Sequence, residues 1–73
     1  MMYCGTYKIG NVISFPIYSE NLNEIIDKLI NKMVAAVKPK EEAEWVIYDG
    51  KPGGLRIGTG GITSDGKDWC EFF

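Results

Sequence analysis

Eight apolar residues, Leu22, Ile25, Ile26, Leu29, Ile30, Met33, Val34 and Val37, recur at alternating spacings of three and one, which gathers them on one face of an α-helix. Asn23, Glu24, Asp27, Lys28, Asn31 and Lys32 fill the opposite face. A short helix is marginal in water by itself, so a stripe this apolar demands another layer to pack against. The pattern predicts a helix over about residues 20–37. Ser19 or Asn21 can cap its start, Glu24 follows Asn21 at capping-box spacing, and Pro39 stops it.

The flanking segments read as strands. Residues 3–9 and 12–18 surround Gly10-Asn11, a pair suited to a tight hairpin turn. In that register Tyr3, Tyr7, Ile9, Val12 and Tyr18 share one face, and Cys4, Ile13, Phe15 and Ile17 the other. Pro16 cannot donate to a ladder, which places the second strand at an edge or bulges it locally. Beyond the helix, residues 44–49 hold the β-favouring run Trp45, Val46, Ile47 and Tyr48. Gly50-Lys51-Pro52-Gly53-Gly54 is a turn. Residues 55–59 and 62–64 read as extended segments interrupted by Gly60-Gly61, and Asp65-Gly66 turns the chain into residues 67–73.

The resulting order is ββαβββ, and the expected fold class is α+β: a two-layer sandwich with one amphipathic helix on a four- or five-stranded, mostly antiparallel sheet. At 73 residues the chain supports one core, so residues 1–73 form a single domain. A coiled-coil use of the helical stripe would leave the strands without a core to join.

Composition narrows the functional classes. An apolar content of 45% with 25% charged residues belongs to a chain that folds. Net charge of −2 and scattered Lys and Arg disfavour a phosphate backbone as partner. No histidine is present, so no side chain has an unperturbed pKa near neutrality. Cys4 and Cys70 lack a Cys-x-x-Cys arrangement and are expected as buried, inert thiols rather than a disulfide. Asp65, Asp68 and Glu71 match no calcium loop. No catalytic residue and no metal ligand is therefore assigned. The glycine-rich segment 53–61 is not followed by a helix, as phosphate-binding loops require. Arg56-Ile57-Gly58-Thr59-Gly60 resembles the acyl-CoA-binding loop of acetyltransferases but is one residue short. A structural role for these glycines is expected, and no cofactor. No apolar run reaches the roughly 18–20 residues of a membrane span, and the N-terminal residues lack signal-peptide features, so a cytoplasmic address is expected.

Aromatic residues make up 12% of the chain, and a single helix can cover only one face of the sheet. The functional expectation is a non-enzymatic binding module acting by protein–protein contact, either a homodimer or a small inhibitor or adaptor of a larger partner. Small size also fits a phage or mobile-element origin. Tyr3, Tyr7, Tyr18, Tyr48 and Arg56 are the candidate contact residues, because Tyr and Arg suit protein interfaces. The alternative is a nucleic-acid-binding domain that stacks bases on the aromatic face, with Lys8 and Arg56 on phosphates.

Overall fold

A computed structural model describes all 73 residues, in the order βββαβββ. The helix α1 (Leu22–Ala36) starts where the Asn21 side chain accepts from the Glu24 N–H at 3.1 Å. Ser19 braces the turn before it, accepting from the Asn21 N–H. Glu24 and Lys28, one turn apart, pair at 2.9 Å on the solvent side, and the nearby ammonium holds the Glu24 carboxyl below its ordinary pKa. Val37 is already extended, and its N–H closes the last turn on the Met33 carbonyl. No helix is long and apolar enough to cross a membrane.

The six strands are β1 (Tyr3–Ile9), β2 (Val12–Ile13), β3 (Ile17–Ser19), β4 (Ala43–Asp49), β5 (Arg56–Ile62) and β6 (Asp68–Phe72). All pairings are antiparallel, in the spatial order β2-β1-β4-β5-β6 with β3 beside β2 on the same edge of β1. The sheet thus has one strand more than the upper end of the sequence expectation, because residues 12–18 form two short strands.

Residues 14–16 cause that division. Ile9 opposes Val12 and Lys8 opposes Ile13, as the Gly10-Asn11 turn dictates. Farther along, Gly5 opposes Ile17, Cys4 opposes Tyr18 and Tyr3 opposes Ser19. The returning chain has gained one residue on β1, at the segment where Pro16 cannot donate. Ser14 keeps the main chain satisfied there: its N–H donates to the Tyr7 carbonyl at 2.8 Å, and its Oγ accepts from the Tyr7 N–H at 2.9 Å. A one-residue offset reverses the face of everything beyond it. Tyr18 therefore lies opposite to the face shared by Tyr3 and Tyr7, which corrects the sequence expectation.

The core comprises Ile25, Leu29 and Met33 of α1 against Ala43, Trp45 and Ile47 of β4. Tyr3, Tyr7, Ile9 and Ile17 close around it. Gly5 lies directly beneath the helix: a Cβ there would stand 2.6 Å from Leu29 Cδ1. The backbone of α1 consequently packs over β1, β3 and β4 and not over β5 or β6.

The glycines of β5 have a different use. The segment does not break at Gly60-Gly61; it is one continuous strand. A Cβ on Gly58 would collide with the Phe72 ring at 2.6 Å, and one on Gly60 with the Trp45 ring. These two rings lie across the bare strand and meet each other at a centroid separation of 6.3 Å. Ile57 is the extra residue of a second bulge, where the β4–β5 register shifts between Ile47 and Tyr48.

Gly60→Ala is expected to destabilise the protein by roughly 1–3 kcal/mol in urea unfolding, since a ring and the Trp69 carbonyl bar the new methyl. Gly5→Ala sets its methyl 2.6 Å from Leu29 Cδ1 and 3.2 Å from Ile25 Cδ1, both in fully buried side chains, and should cost a comparable amount. Equal stability of the Gly60 variant and the native protein would rule out the ring-over-glycine packing. Ser14→Ala should cost about 1 kcal/mol by leaving the Tyr7 N–H without its partner.

Candidate functional site

A helix with its side chains is about 10–12 Å wide, whereas strands in a sheet are spaced about 4.8 Å apart. One helix centred over β1 cannot reach the far side of a sheet in which β4, β5 and β6 follow in turn. The apolar stripe of α1 is nevertheless broad. The row Ile26, Ile30, Val34 is turned about 100° around the axis from the buried row Ile25, Leu29, Met33. Its members face sideways, toward the uncovered strands, and Val34 is 53% and Ile30 37% exposed.

An open apolar groove of about 640 Å³ results, with Ile26, Ile30, Met33 and Val34 as one wall and Trp45, Ile62 and Cys70 among the remaining lining residues. Strand β6 borders it. Every residue of β6 is exposed, including Trp69 at 41% and Phe72 at 51%. Register places Asp68, Cys70 and Phe72 on the helix side of the sheet and Trp69 and Glu71 on the other. Acidic Asp68 and Glu71 are thus on opposite faces. Asp65 instead belongs to the turn, where it accepts from the Thr63 hydroxyl.

The sequence-derived contact residues separate into two groups. Tyr3 and Tyr7 pack against the core on the helix side and are half-buried there. Tyr18, Tyr48 and Arg56 do come together on the far face, in one row across β3, β1, β4 and β5, since Cys4 opposes both Tyr18 and Tyr48 and Tyr48 opposes Arg56. Cys4 lies fully buried between the two tyrosines. Burial pushes its thiol pKa up, and an interaction with the Tyr18 side chain offsets part of that. Cys70, expected to be buried, is exposed instead, because no helix covers β6.

Ile30, Val34, Trp69 and Phe72 were not among the sequence-derived contact residues. A signal for them existed: eight apolar positions extend over about half the circumference of a helix, more than one flat sheet can bury. No protein-family model matches the chain, and no curated protein or solved structure matches it.

The two thiols should differ sharply toward iodoacetamide at neutral pH in the native protein. Mass spectrometry is expected to find Cys70 modified and Cys4 untouched until denaturant is added; equal labelling rates would contradict the burial of Cys4.

Proposed function

We propose that this protein acts by protein–protein contact, through strand β6 and the groove that lies between it and α1. The observation that carries this reading is the uncovered half of the sheet on the helix side, where Ile30, Val34 and Phe72 remain exposed although the chain has a core to bury them in. Contiguous apolar surface bordered by polar residues is what partner surfaces present. A sheet edge adds main-chain groups that a second polypeptide can pair with. The binding role assigned here is that of a homodimer or of a small inhibitor or adaptor.

Nucleic acid has less support. Tyr18, Tyr48 and Arg56 form an aromatic and basic row, and Lys8 and Lys67 share their face, but Glu44 directly opposite Lys8 and Glu71 four residues along from Lys67 keep it from being a basic stripe for a phosphate backbone.

The test is the paired substitution Ile30→Glu with Val34→Glu, at two positions outside the buried core. It is expected to leave the thermal midpoint within a few degrees and to weaken association, read by sedimentation for self-association and by co-purification for a stoichiometric partner, by at least about tenfold. Unchanged association in both measurements would contradict the role of the groove.

A further inference from the structure

The geometry points to a second copy of this chain as the occupant of the β6 edge, paired antiparallel about a two-fold axis at Trp69. This inference rests on the protein-contact reading and names the partner and the register.

The hydrogen-bonding direction along β6 follows from its ends. The Thr63 N–H donates to the Lys67 carbonyl at 2.8 Å, and the Phe73 N–H to the Ile57 carbonyl at 3.0 Å. In an antiparallel ladder the direction alternates, so Lys67, Trp69, Glu71 and Phe73 turn their main chain toward β5. Asp68, Cys70 and Phe72 turn theirs outward, to an edge that nothing occupies. No proline or bulge interrupts β6, whereas the opposite edge of the sheet is broken at residues 14–16 around Pro16. An edge with neither proline nor bulge can template another strand, and the charges of Lys67, Asp68 and Glu71 then restrict which register it accepts. With only one such edge, self-pairing closes as a dimer and does not propagate as a fibre.

Two-fold pairing must match outward residues with outward residues, which restricts the axis to a residue position. An axis at Asp68 or Glu71 sets like charges directly opposite each other. An axis at Phe72 overlaps too little of the strand. An axis at Cys70 places Glu71 against Trp69 and Asp68 against Phe72. Only the axis at Trp69 sets Lys67 opposite Glu71 of the second copy, twice by symmetry, with the two Trp69 side chains between them on the same face. Asp68 and Cys70 then exchange the main-chain hydrogen bonds. A seam this short lies at the small end of stable interfaces, so the association is a micromolar one.

Sedimentation of the full chain from about 1 µM to several hundred µM tests this, with Glu71→Lys, Lys67→Glu and the double variant compared at equal fold stability. The native chain should dimerise. Each single reversal should weaken the dimer about tenfold or more, and the double reversal should restore it to within about threefold. Failure of the double variant to rescue overturns the register. So does ready formation of a Cys70–Cys70 disulfide on mild oxidation, because the Trp69 axis leaves those Cα atoms about 9 Å apart, beyond the roughly 7 Å a disulfide spans. Should the variants fold poorly, amide exchange of the native chain replaces them: concentration-dependent slowing at Asp68, Cys70 and Phe72 supports the pairing, and its absence overturns it. A native chain that stays monomeric throughout overturns self-pairing, while the protein-contact reading falls only if substitution of Ile30 and Val34 also leaves partner retention unchanged.

Discussion

Leu29 and Ile25 rest on Gly5, and the position of that contact decides the rest of the molecule. A residue without a side chain in β1 lets the helix approach the sheet there. Ile25, Leu29 and Met33 then reach Ala43, Trp45 and Ile47 of the neighbouring strand. The helix lies off the centre of the sheet as a consequence. With only one helix to contribute, the chain has nothing to set over β5 and β6.

The two glycines Gly58 and Gly60 show how the uncovered half is held together. Trp45 and Phe72 lie across them, so aromatic rings from adjacent strands partly replace a second helix. This cover is thin. It secures β5, whose Gly58 and Gly60 are buried, but leaves β6 open along its whole length. The surface proposed for contact is therefore the part of the fold that its one helix cannot reach, and the charge order Lys67, Trp69, Glu71 along it is complementary to its own reverse.

Helix periodicity made α1 legible, and the ends agree to within two residues because Asn21 is an explicit start signal and Pro39 an explicit stop signal. The Gly10-Asn11 turn was legible for the same reason: Gly10 holds a φ of 59°, which its type of residue supplies without strain. Tyr18 was placed on the wrong face because the extra residue at 14–16 leaves no mark in apolar alternation; Pro16 signalled an edge or bulge there, but the register beyond it is set by the Ser14 to Tyr7 hydrogen bonds. Gly60-Gly61 resembled a break since glycine weakens an isolated strand, and the ring that requires Gly60 comes from a residue 15 positions away, Trp45, with the Ala43 carbonyl crowding Gly61. Of the contact set read from sequence, Tyr18, Tyr48 and Arg56 share the far face, while Tyr3 and Tyr7 lie half-buried on the helix side. The groove itself depends on where the helix axis lies, which periodicity does not encode.

Residue-resolved amide hydrogen exchange on a dilute, monomeric sample tests the off-centre helix most directly. The account predicts the slowest exchange in the strands beneath α1, at Cys4, Thr6, Val46 and Tyr48, whose main chains pair β1 with β4, and rapid exchange at Asp68, Cys70 and Phe72, with Trp69 and Glu71 between them slower. Protection of Asp68, Cys70 and Phe72 equal to that of β4 would mean that something in the monomer covers β6, and would contradict it.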